Sequence, residues 1–219
     1  GVGVWEDGDR VVGNRGNTLL LDGVECSHLD VDSEFVYLRL GAQRIAEPRE
    51  FDGPRILQAV CDLGWEHPAH PLYVAGFGVL SPLAGALRKR PGCDISCPTS
   101  TGKTTINQSV SVPLSGGTLL FKEGLTSAAG VYQSCGVSAH GVLVDESEQQ
   151  AGKVGQMRTQ LVNLRRIAYS GGEFSKGTTT GKPLSYTMSL MVGFTGINAP
   201  LPDPQDRNRA AIAKRACLP

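Results

Sequence analysis

The chain carries no excess charge of either sign: 21 Lys and Arg stand against 21 Asp and Glu in 219 residues. A protein that coats nucleic acid is usually more basic, so any contact with DNA has to be local. Its six cysteines, Cys26, Cys61, Cys93, Cys97, Cys135 and Cys217, include no Cys-x-x-Cys pair. A metal site built from Cys93 and Cys97 with His67 or His70 lacks the tight ligand cluster such sites need, which leaves reduced, half-buried thiols of a cytosolic protein as the reading. No signal peptide is present, and no apolar stretch reaches the ~20 residues that a bilayer requires. The longest apolar run, Pro71 to Leu87, is broken by Pro82 and by glycines and reads as a buried helix. No membrane partner is therefore expected. Internal repeats and low-complexity tracts are missing as well. So is an initial Met, which points to a piece of a longer polypeptide.

What is present is an ordinary globular composition, 40% hydrophobic and 19% charged, enough for one sizeable domain with a small appendage. Residues 1–50 alternate like a meander. Val2 to Trp5 and Arg10 to Val12 flank the turn Glu6-Asp7-Gly8-Asp9, and Thr18 to Leu21 and Phe35 to Leu38 continue the pattern. Residues 51–91 read as a helical segment. Ile56, Leu57, Val60, Cys61 and Leu63 have helical spacing, and a second helix is expected from about Leu72 to Arg88. The basic triplet Arg88-Lys89-Arg90 suits a helix end and is also placed to touch phosphate. Residues 92–219 run strand, glycine loop, helix, strand, helix, strand, helix, hairpin, strand, the rhythm of a parallel α/β sheet flanked by helices.

The strongest motif is Cys97-Pro98-Thr99-Ser100-Thr101-Gly102-Lys103-Thr104-Thr105, between a short strand (Cys93 to Ser96) and a helix expected from Thr104 to about Val112. It follows the P-loop pattern in its strand–loop–helix setting, except that Cys97 stands where the first glycine belongs. The loop from Pro98 to Thr105 would cradle ATP phosphates with its backbone N–H groups, which begin at Thr99, and with the helix start. Lys103 would reach the β- and γ-phosphates, and Thr104 would offer its hydroxyl to Mg²⁺. A side chain at Cys97 is expected to strain the tight exit from the strand.

Downstream, His140 to Val144 is an apolar strand ending in Asp145-Glu146. In a P-loop ATPase the first acid of such a pair holds Mg²⁺ and the second polarises the attacking water. A further apolar strand, Ser189 to Asn198, ends in polar residues, and Asn198 or Thr195 is a candidate contact for the γ-phosphate or the catalytic water. Asp206-Arg207-Asn208-Arg209 follows. Arg207 and Arg209 are candidates for an arginine that stabilises transition-state charge at a neighbour's nucleotide, Arg209 the better one. Between the acids and the Ser189 strand lies Glu173 to Pro183, whose Lys176, Thr178 and Lys182 suit a hairpin tip that grips a nucleic-acid backbone.

Taken in order from Leu57 to Lys214, these residues resemble the helicase half of phage and prophage primase-helicase proteins of superfamily III. The match runs through Trp65-Glu66, Gly78 to Leu87, Ser100 to Thr105, Glu123 to Gly130, Val144 to Glu146, Lys176 to Thr178, Gly196 to Asn198 and Asp206 to Arg209. The resemblance implies an AAA-like P-loop NTPase core, to which the residues before it add a small N-terminal β-rich appendage and a helical linker. It also implies a hexameric ring that threads single-stranded DNA and binds ATP with Mg²⁺ between subunits. Lys103, Thr104, Asp145 and Glu146 would form one face of that site, with Asn198 sensing the γ-phosphate and Arg209 or Arg207 arriving from the neighbour. Lys176 would lie on the hairpin that pulls the strand. The expected partner is a primase or polymerase module, on the same longer polypeptide or beside it, and the expected setting is the cytoplasm of a bacterial host. Two rival readings share most of these residues: an AAA-like ATPase that remodels or loads other proteins, and a degenerate nucleotide-binding module without turnover.

Overall fold

The computed structural model describes residues 1–39, 53–98, 102–122, 126–145, 153–176, 184–197 and 204–216. The amino-terminal segment forms a four-stranded antiparallel meander of β1 (Gly3–Asp7), β2 (Arg10–Asn14), β3 (Leu19–Leu21) and β4 (Val24–Cys26), in that spatial order. Three of its strands, β1 to β3, match the expected alternation, but Phe35 to Leu38 is not a strand. There the chain is fixed to the edge strand by side chains instead of a ladder: Tyr37 Oη donates to Asp7 Oδ2 at 3.1 Å and its ring meets Trp5. Burial and that carboxylate push the Tyr37 hydroxyl up to about 12.

Two helices follow, α1 (Gly53–Cys61) and α2 (His70–Leu80), and α2 is shorter than its apolar run suggested. Pro82 has no N–H for the carbonyl of Gly78 and its ring crowds that turn, so the chain tightens into a 3-10 turn, Ser81–Leu83. Ser81 Oγ takes over, donating to the Gly78 oxygen at 2.9 Å. The basic triplet is therefore not a helix end. Arg90 is buried, with its guanidinium on the Ala84 and Gly85 carbonyls.

The remaining elements are β5 (Gly92–Ser96), α3 (Lys103–Ile106), a π-helical turn (Asn107–Ser111), α4 (Val112–Leu114), β6 (Leu120–Lys122), α5 (Ala128–Cys135), β7 (His140–Val144), α6 (Lys153–Tyr169), the antiparallel hairpin β8 (Glu173–Lys176) and β9 (Leu184–Thr187), β10 (Leu190–Gly196), α7 (Pro204–Arg207) and β11 (Ala210–Lys214). β5, β6, β7, β10 and β11 make a five-stranded sheet in the order β11-β5-β10-β7-β6, every pairing parallel. The expected α/β class with a parallel sheet flanked by helices is what the chain forms; β4 and β11 are strands the sequence reading did not anticipate.

Alternation along each buried strand divides the core in two. Val142, Val144, Leu190, Val192 and Phe194 face α5 and α6, which contribute Val131, Tyr132, Leu161 and Leu164. Cys93, Ile95, Leu143 and Met191 face α2 and the α3 stretch, which contribute Val74, Phe77 and Ile106. A sheet covered on both faces needs apolar residues at every strand position, and all seven residues of β10 are buried.

Candidate functional site

From β5 the chain crosses to the far edge of the sheet at β6. It then steps back through β7 to β10, beside β5, and passes on to β11 at β5's other side. Crossovers in opposite directions lie on opposite faces because each is right-handed, which accounts for α3 on one face and α5 and α6 on the other. The connections leaving β5 and β10 thus diverge, and the crevice beyond their carboxyl ends is the topological switch point where open α/β sheets bind ligands.

The sequence motifs come to that edge. β5 runs into Cys97 and Pro98, with the Cys97 N–H donating to the Gly196 oxygen at 3.1 Å and Ser96 Oγ donating to the Ile197 oxygen at 3.1 Å, so the two strands stay joined past their ends. Cys97 is wholly buried in the core cluster that holds Ile106 and Ala213. The side chain in the place of the usual glycine is thereby housed in the core. Gly102, at the far end of the loop, has φ +79°, a left-handed conformation that suits glycine immediately before a helix. From Lys103 the α3, π and α4 turns run without a break to Leu114, and Thr105 on the first turn is exposed.

At the end of β7 stands Asp145, buried, its N–H donating to the Lys122 oxygen at 2.8 Å. Thr195 on β10 is not turned outward as a nucleotide contact. It is fully buried and donates its hydroxyl to Asp145 Oδ1. Behind it, Asn107 Nδ2 donates to Thr195 Oγ1 at 3.3 Å, and Asn107 is itself fully buried. Three elements, the helix after the loop, β10 and β7, are thus tied by one polar chain. Sequence reading missed Asn107; the signal available was a polar residue among apolar ones on the inward face of the loop helix.

Arg209 lies elsewhere. Ala210 pairs with Gly92 and Lys214 with Ser96, so Arg209 sits just beyond the amino end of β11, a strand length of about 13 Å from the loop edge. Its guanidinium lies 5.9 Å from the centre of the Tyr169 ring, which also carries Lys89 Nζ at 5.3 Å. The adjoining Asp206 is fully buried and accepts two bonds from Arg166, at 2.9 and 2.8 Å, which holds its carboxyl below the usual range. Thr99, Ser100, Thr101, Glu146, Asn198, Thr178 and Lys182 lie outside the described residues. Lys103 and Thr104 open α3, Arg207 closes α7, and Lys176 stands at the end of β8, opposite Leu184.

Among the described residues there is no cluster of three or more His, Cys, Asp or Glu side chains that would hold a metal by itself. Mg²⁺ does not ask for one, since it takes one or two carboxylates with phosphate oxygens and water. A single carboxylate at the same edge of the sheet as a glycine–lysine turn fits that requirement. Among the described residues no helix is long and apolar enough to cross a membrane. Compared with models of known protein families and with curated proteins, the chain matches none.

Proposed function

We propose that this chain is the ATP-hydrolysing motor domain of a ring-forming DNA helicase, of the superfamily III type that its ordered motifs resemble. The observation that carries the reading is the convergence of the Gly102-Lys103 turn and the buried Asp145 on the switch point of a parallel sheet. Phosphoryl transfer needs little covalent help from protein, and its catalysis is mostly positioning and charge stabilisation. The loop from Pro98 to Thr105 would cradle the phosphates, with Lys103 on the β- and γ-phosphates. Thr104 and Asp145 would hold Mg²⁺, which supplies neutralisation of the phosphate charge. Glu146 would orient the attacking water and Asn198 would sense the γ-phosphate.

The position of Arg209 supports a ring. At the amino end of the sheet it is too far from its own loop to serve it, so a role in hydrolysis requires a neighbouring subunit's nucleotide. Lys176 ends one strand of the β8–β9 hairpin, the kind of element able to press a lysine against a single strand's backbone in a central channel, and Thr178 and Lys182, which follow it in sequence, would add to that grip. Single-stranded DNA is the proposed track, and a primase or polymerase module the proposed co-worker.

The test is ATP hydrolysis with and without single-stranded DNA, comparing the unaltered chain with Lys103→Ala. The expected outcome is hydrolysis that rises with DNA and falls at least about a hundredfold in the variant. Hydrolysis indifferent to DNA would replace the helicase with a remodelling ATPase. No hydrolysis in a sample shown to be a ring would leave a nucleotide-binding module without turnover.

A further inference from the structure

The chain Asn107–Thr195–Asp145 is directional. A threonine hydroxyl has one proton, and Thr195 commits it to Asp145 Oδ1, so its lone pairs are left to accept the proton of Asn107 Nδ2. A hydroxyl donating to a carboxylate is among the stronger and more orienting hydrogen bonds in proteins. We infer that Thr195 and Asn107 are positioning residues that fix the Asp145 carboxylate for a divalent cation and couple it to the helical stretch that begins at Lys103. The inference rests on the nucleotide reading above and assigns residues that reading does not need.

Two features argue for more than core filling. Thr195 and Asn107 are each 0% exposed, in surroundings that include Ile106, Leu143 and Met191, where apolar side chains would pack without any polar group to desolvate. Asn107 also leaves its Oδ1 without a hydrogen-bond partner, and so does the Oγ of Ser111 one turn on. These two residues are the first and last of the π turn, Asn107–Ser111. A π turn inserts an extra residue into a helix, is rare, and recurs where a side chain must be re-aimed at a functional site. Here it re-aims Asn107 at Thr195. Helix, hydroxyl and carboxylate then move together, so a shift of the Lys103 helix on meeting phosphate is transmitted to the acid that meets the cation. Second-layer groups of this kind set metal affinity by fixing the ligand's orientation.

The test uses the full chain and its Thr195→Val, Thr195→Ser and Asn107→Leu variants. Binding of Mn²⁺ in the presence of ATP is read from the loss of the free-ion paramagnetic resonance signal. Binding of a fluorescent ATP analogue in chelator is read alongside it, and a thermal melt checks folding. Thr195→Val is expected to weaken Mn²⁺ binding about 10–100-fold, with metal-free nucleotide binding unchanged. Thr195→Ser, which keeps the hydroxyl, should restore it, and Asn107→Leu should weaken it in the same direction but less. Mn²⁺ binding by Thr195→Val equal to that of the unaltered chain overturns the inference and leaves the nucleotide reading standing. Equal loss of Mn²⁺ and of metal-free nucleotide binding overturns it too, since that marks a general disturbance. If Thr195→Val does not fold, Asn107→Leu decides by the same criteria. An unaltered chain that binds no nucleotide, with or without Mn²⁺, removes the reading on which the inference rests.

Discussion

His140 opens β7 with 6% of its surface exposed, and burial, helped by the nearby amino-terminal charge, pulls its imidazole down to about 4. Its ordinary value is 6.5, so protonation favours the unfolded chain. The stability this residue sustains is complete above pH 6.5 and is lost as pH falls from there through 4. The urea midpoint should decline across that window, and His140→Gln should flatten the decline; an identical slope in the variant would place the effect elsewhere. Asp206 acts further into acid, since its depressed carboxyl stabilises the fold above its ordinary value of 3.8 and loses that contribution as pH drops below it. Asp94 differs from both: burial raises its carboxyl while the Arg165 guanidinium, 2.7 Å away, opposes the rise. None of these partners was legible in the sequence. Asp94 and Arg165 lie far apart along the chain, and nothing in the pattern Cys93-Asp94-Ile95 says which cation will meet the acid. Lys103 and Asp145 could be singled out because their spacing and residue types are those that phosphate chemistry asks for, and the structure brings the elements that carry them to one edge of the sheet.

Elements were read best where periodicity and length agreed. β5, β7 and β10 are apolar runs bounded by turn residues, and all three appear at or near their expected positions. Phe35 to Leu38 is just as apolar but lies along the edge strand β1 held by side chains without pairing to it, and tertiary context overrode its propensity. α2 shows the reverse fault, an apolar run continued past the proline that ends it. What α2 and its 3-10 turn do is press on the sheet, and Gly141 on β7 allows this. A methyl group there would lie 2.6 Å from Leu119 Cδ1 and closer still to Ser81 Cβ. Gly141→Ala should therefore cost about 1–3 kcal/mol of folding stability by overpacking, read from urea denaturation. A change under about 0.5 kcal/mol, the range of ordinary surface substitutions, would mean that the 3-10 turn yields freely.

At the scale of the molecule, the distance between loop and Arg209 would, in the proposed ring, divide one reaction between two subunits. Lys103→Ala and Arg209→Ala should each be inactive alone, and mixing them should restore part of the hydrolysis, because the first lends its arginine to the second's intact loop. Failure to complement in a mixed ring confirmed by mass would assign Arg209 to holding Tyr169 and Lys89 in place. The parallel sheet was foreseeable from the order of its elements, whereas the placement of β11 between solvent and β5 was not, since pairing partners beyond the nearest neighbours leave no local trace.

One contact at the carboxyl end of β11 gives the chain an optical use. Trp65 forms a β-bridge with Arg215, and the Arg215 guanidinium reaches to 3.8 Å from where a side chain on Gly102 would begin. The other tryptophan, Trp5, belongs to the meander and stands beside Tyr37. The Trp65 ring is seated by its Nε1–H donating to the Val60 oxygen at 2.7 Å, and the Arg215 guanidinium holds the Leu63 oxygen of the same turn, so a displaced Arg215 would disturb the surroundings of that indole and with them its emission. A Trp5→Phe version would leave Trp65 as the one tryptophan of the chain, an intrinsic fluorophore on the segment that Arg215 links to the edge of the loop, and in the proposed motor it would follow nucleotide arrival without any attached dye.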